Sequence, residues 1–161
     1  MNIDKVYTSF LLKITDQMIP QDEGMKNLTT EEILQMIKEE IDSDEFFEYI
    51  MEGAYGEYIP EDTESIMYFK PVEYHISIPS ATCIRIECVY LKKDTLYIQY
   101  TILDNPIGKI VYDNLKAGKI PCFKISNTLY VDEETNEVTG IAINGIDIAA
   151  FINKEEIEKY I

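Results

Sequence analysis

Apolar and polar positions divide this chain into an early part dominated by helical spacing and a later part made of short strands broken once by a helix. VYTSFLLKI, residues 6–14, is rich in aromatic and β-branched residues and predicts an opening strand. MIPQDEGMKN, residues 18–27, carries Pro20 and Gly24 and predicts a polar loop. LTTEEILQMIKEEI then puts Ile33, Ile37 and Ile41 on one helical stripe behind Thr29 and Glu32, the two members of a capping box. DSDEFFEYIME continues this helix or starts a second one after a break, with Gly53 and Gly56 as terminators.

From residue 66 the signal changes to short strands. IMYF, VEYHISI, CIRIECVYL and TLYIQYTIL predict strands, the last two joined by a tight hairpin at Lys92, Lys93 and Asp94. A helix follows over 106–117. Asp104 or Asn105 caps it, Pro106 takes its first position, Ile107, Ile110, Val111 and Leu115 form its inner stripe, and Gly118 stops it. CFKI, TLYV, EVTGIAI and IDIAAF predict further strands, with DEETN as a hairpin turn and Ser126 leaving the end of the first. NKEEIEKYI predicts a short terminal helix capped by Asn153. Residues 1–161 thus predict a single α+β domain: a mostly antiparallel sheet or open barrel packed against two or three helices.

Composition narrows the partners. The formal charge of −16, from 30 acidic and 14 basic residues, repels nucleic-acid phosphates and anionic lipid and favours basic or neutral protein surfaces. No apolar stretch approaches the roughly 20 residues that span a bilayer, and no signal-peptide pattern opens the chain, so a soluble protein without a membrane partner is expected. Cys83, Cys88 and Cys122 are odd in number and lie among apolar neighbours, which fits free thiols in a reducing, intracellular setting.

Candidate chemistry is sparse. His75 is the only histidine, and a lone histidine on a strand is more often a hydrogen-bonded residue than a catalyst. It has no second histidine or close cysteine pair to build a metal site with, and VDEETNEVTG lacks the ligand alternation and central glycine of a calcium loop. No glycine-rich phosphate loop is present, so no metal or cofactor is expected. Ser126, His75 and Asp147 could form a nucleophile, base and orienting carboxylate if the fold gathers them, though any chain with one histidine and several serines can supply such a trio.

Taken as a block, TLYIQYTILDNPIGKIVYDNLKAGKIPCFKIS followed by EVTGIAINGIDI resembles the prohead (capsid maturation) protease family of tailed bacteriophages, whose fold is shared with the herpesvirus assemblins. LDNPIGK resembles the family's turn into a helix, LKAGK the helix end, and NGIDIA its last strand; GAYGEYIPED resembles the segment that supplies the catalytic histidine. The resemblance covers about residues 10–150 and implies a prohead-protease-like fold. The departures fall on the chemistry. Ile59 stands at the histidine position, Lys124 and Ile125 lie under the paired serines, and Ser126 comes one residue late, which in a strand is the opposite face. Asn127, Thr128 and Leu129 replace the glycine that follows the nucleophile.

The resemblance therefore implies a catalytically degenerate head protein of the virion, assembled in the host cytoplasm. It would bind capsid or scaffold proteins, or further copies of itself, without nucleic acid. The alternative is an active serine endopeptidase that processes scaffold and capsid precursors. An acidic inhibitor of a host factor is a third class, supported only by the charge.

Overall fold

The computed structural model describes residues 4–15, 28–60, 69–71 and 78–157. Its elements in chain order are β1 (Tyr7–Lys13), α1 (Thr30–Ile41), α2 (Asp44–Met51), β2 (Tyr55–Glu57), β3 (Phe69–Pro71), β4 (Thr82–Lys92), β5 (Thr95–Ile102), α3 (Pro106–Lys116), β6 (Ile120–Val131), β7 (Val138–Ile152) and the single turn α4 (Lys154–Ile157). The loop expected at 18–27, most of the strand expected over 66–69, and all of 72–77 lie outside the described residues.

The strands form two sheets. One has the order β1-β5-β4-β2 and is antiparallel throughout; the other has the order β3-β6-β7, with β3 parallel to β6 and β7 antiparallel to it. Just beyond β2, Tyr58 bridges Ile148 and the Ile59 N–H donates to the Ile148 carbonyl at 2.9 Å, so the sheets join along β7. On the other side, β1 and β6 are held by side chains: Phe10 packs against the cluster of Cys122, Ala149 and Ile152. The result is an open barrel in an α+β fold, its two sheets packed against helices. Four helices are described rather than two or three, because the helical stretch divides at Asp42 and Ser43 and α4 adds one turn.

Local chemistry accounts for the helices. Thr29 Oγ1 accepts from the Glu32 N–H and Glu32 returns a bond to the Thr29 N–H, both at 3.2 Å, while Ile33 and Ile37 are fully buried. Ser43 opens α2 by accepting from the Phe46 N–H at 3.2 Å. Gly53, at φ +97°, ends it, whereas Gly56 belongs to β2 and terminates nothing. Asn105, not Asp104, caps α3 with a 2.7 Å bond from the Gly108 N–H. Ile110 departs from its expected place: it is 41% exposed. At 100° per residue the inner arc runs through Ile107, Val111 and Leu115, and position 110 lies well outside it.

The alternating strand β5 turns Leu96, Ile98, Tyr100 and Ile102 inward, and these meet Ile84, Ile86 and Val89 of β4 in one continuous core that also takes in Ile33, Phe46 and Val111. CFKI and TLYV are a single strand, β6, and EVTGIAI and IDIAAF are likewise one, β7. The two pair along their whole length because register shifts between Cys122 and Phe123, Ser126 and Asn127, and Tyr130 and Val131 absorb Ala149, Asn144 and Thr139 as extra residues on β7. Ser126 is therefore in mid-strand, not at a strand end. The Asn144 bulge also exposes a backbone donor: the Ile143 N–H is taken by the Glu40 carboxylate, which ties α1 to β7.

Candidate functional site

Strand alternation sorts the side chains of β6 and β7 onto two faces. Phe123, Ile125, Ile146 and Ile148 point into the core, which leaves Lys124, Ser126 and Asp147 on the other face. β2 lies against the same ladder. A Cβ on Gly56 would meet the Ile84 side chain on the core side, so the next residue, Glu57, turns the opposite way. Glu57, Asp147 and Ser126 are nevertheless only 2%, 4% and 5% exposed. Such burial is costly for carboxylates unless their oxygens are engaged.

They are engaged by backbone. Asp147 Oδ1 accepts from the Glu57 N–H at 2.9 Å, and the Glu57 carboxylate accepts from the Ile78 N–H with both oxygens at 2.8 Å. Three separated stretches of chain (β2, β7 and the approach to β4) are thereby tied at one point. The two carboxylates act on their surroundings. Cys83, whose Sγ donates to the Gly56 carbonyl at 3.5 Å, has its thiol pushed up to about 12, first by burial and then by Asp147 and Glu57. Tyr49 of α2 is pushed up to about 12 by burial and by Asp147. A buried thiol held protonated is a poor nucleophile.

Of the residues that could form a triad, Ser126 and Asp147 come together. Ser126 stands opposite Gly145 and Lys124 opposite Asp147, so serine and aspartate are diagonal neighbours on one face, a relation that spans about 7–8 Å. His75 lies outside the described residues. Ile59, at the position of the family's histidine in the resemblance, is anchored through its N–H to Ile148, the residue after Asp147. Glu57 and Tyr49 are members of this cluster that sequence reasoning missed. Glu57 sits two residues before Ile59 in GEYIP, but nothing local in that segment marks its carboxylate as buried.

A cleft of about 320 Å³ opens beside Glu57, between Tyr49, Tyr55, Pro79 and Asn144, and Asn144 donates from its amide to Thr128 Oγ1 at 2.6 Å. Among the described residues, no group of three His, Cys, Asp or Glu side chains is placed to hold a metal ion, and no helix is long and apolar enough to cross a membrane.

No protein-family model matches the chain, and a comparison with curated proteins finds no match. Solved structures do include similar chains. The bacteriophage T4 capsid assembly protease, gp21, superposes with a TM-score of 0.50 at 16% identity, covering 90% of this chain and 81% of that one. At that identity the likeness is one of fold, and the fold of this chain is prohead-protease-like.

Proposed function

We propose that the chain is a phage head protein that keeps the capsid-maturation-protease fold as a single domain over residues 1–161 and acts by binding other proteins, its catalytic centre having been lost. It belongs to the virion, assembled in the host cytoplasm. Its partners are capsid or scaffold proteins, or further copies of itself. One observation carries this proposal. Ile59, under the family's histidine, and Lys124, under one of its paired serines, are far apart in sequence yet meet the same ladder, Ile59 beside Ile148 and Lys124 opposite Asp147. That convergence is what the resemblance requires of a true correspondence. The groups found there are an alkyl chain, which cannot take a proton, and an amine where the nucleophile's hydroxyl should be.

A second reading has one observation in its favour: Ser126 and Asp147 share a face in adjacent register, as an active serine endopeptidase with His75 as base would need. The two readings separate in one experiment. Purified chain is incubated with capsid and scaffold precursors, and cleavage is followed by mass spectrometry for wild type, Ser126→Ala and His75→Ala. Complex formation is followed in parallel by size exclusion with light scattering. The degenerate reading expects complexes in all three and precursor cleavage in none. Cleavage by the wild type that Ser126→Ala abolishes overturns it in favour of the protease.

A further inference from the structure

The short helix α2 has a packed side and a bare one. Phe46 is buried, and Tyr49 and Ile50 pack against the core, whereas Phe47 and Met51, one turn apart, are 63% and 65% exposed. Tyr55 lies just past the helix end, 50% exposed, its ring edge 3.3 Å from where a Cβ on Gly53 would sit. Phe47 and Met51 lie side by side on this face, and adjoining exposed apolar side chains rimmed by polar residues are the form a contact surface takes. The cleft beside Tyr49, Tyr55 and Pro79 adds a recess at the same end of the helix.

Charge states what covers this surface. At 100° per residue the stripe formed by Asp44, Glu48 and Glu52 runs directly alongside Phe47 and Met51; all three acids are exposed, and α2 contains no basic residue. A second copy docking by this same face would set one acidic stripe against another, and anionic lipid is repelled for the same reason. We propose that the outer face of α2 is a docking site for a basic amphipathic segment of a partner protein. An apolar anchor of that segment packs on Phe47 and Met51 while its lysines or arginines lie over Asp44, Glu48 and Glu52. Methionine adapts to differently shaped anchors, and the Phe47 ring accepts a cation on its face. This site gives a partner chemistry to the binding role proposed above and does not depend on whether Ser126 is active.

The test uses the full chain and two labelled synthetic peptides, one an amphipathic helix of leucine and lysine, the other of equal charge with serine in place of leucine, each titrated by fluorescence anisotropy. The leucine–lysine peptide is expected to bind, and Phe47→Ser/Met51→Ser to weaken it by roughly tenfold or more, as loss of a central anchor does. Ile110→Ser, which removes an exposed apolar residue from α3, serves as the control and leaves binding unchanged. Glu48→Gln/Glu52→Gln flattens its salt dependence. Circular dichroism establishes that each variant is folded. Equal binding of the serine–lysine peptide, or unchanged affinity in the Phe47→Ser/Met51→Ser variant, overturns the assignment. So does self-association through this face in light scattering. None of these outcomes bears on precursor cleavage.

Discussion

Asn127 provides the sharpest test of the packing described above. It lies on the core-facing side of β6 with Phe123 and Ile125, opposite Ile143, and is fully buried; among the described residues neither its Oδ1 nor its Nδ2 has a hydrogen-bond partner. A buried amide without partners costs about 1–3 kcal/mol on the scale set by protein mutations. Valine removes both polar atoms, is close to asparagine in size, and suits a strand interior, where the whole propensity scale spans about 1 kcal/mol. Asn127→Val is therefore expected to stabilise the fold by about 1–3 kcal/mol, a rise in Tm of about 2–4 °C per kcal/mol for a chain of this length. Urea titration followed by circular dichroism gives the free energy, and an unchanged slope confirms that the same surface is exposed on unfolding. A loss of stability would refute the reasoning, because it would mean that the amide is satisfied in solution, for example by an internal water held against the β6–β7 bulge.

Two further expectations rest on equally specific contacts. A Cβ at Gly56 would lie 2.7 Å from Ile84 Cγ1 and 2.8 Å from the Ile146 carbonyl oxygen, and since backbone cannot swing aside, Gly56→Ala should lower stability by about 1–3 kcal/mol in urea unfolding; an unmoved midpoint would contradict the close approach of β2 to β7. Burial raises the Glu40 carboxyl above its ordinary value, more than its bonds from the Ile143 N–H and Ser43 lower it, with Glu45 adding a smaller upward push. The folded state therefore holds that proton more tightly than the unfolded chain does, so this contribution to stability is complete below the ordinary carboxylate range and is lost as pH rises through the raised value. Glu40→Gln retains an acceptor for Ile143 without titrating. Its stability relative to wild type should improve from acid toward neutral pH, and a difference flat with pH would count against a desolvated Glu40.

Where each feature could be seen in advance follows from how far apart its interacting groups lie along the chain. The caps of α1 and α3 were legible because Thr29 with Glu32, and Asn105 with Gly108, act within a single turn, and the hairpins at Lys93 and Asp132–Asn136 were legible because their turn chemistry is equally local. The α+β class followed from periodicity, which any window of a few turns reports. The site was legible only as residue types: Ser126 and Asp147 could be named, but not their diagonal relation, and Ser126 was expected at a strand end that does not exist. That error and the overlooked Glu57 share a cause. Whether Ser126 sits in mid-strand depends on β7 absorbing Asn144 as a bulge, and whether Glu57 is buried depends on Asp147, 90 positions away, accepting its N–H. Register and burial are set by pairing between distant segments, and a one-residue difference in that pairing exchanges the core face for the site face. The sequence by itself determined which segments are helix and which are strand, since those free energies are local. The tertiary structure alone decided which side chains meet, which is why it buries Asn127 with no partner among the described residues and binds Glu57, Asp147 and Ile78 into one cluster.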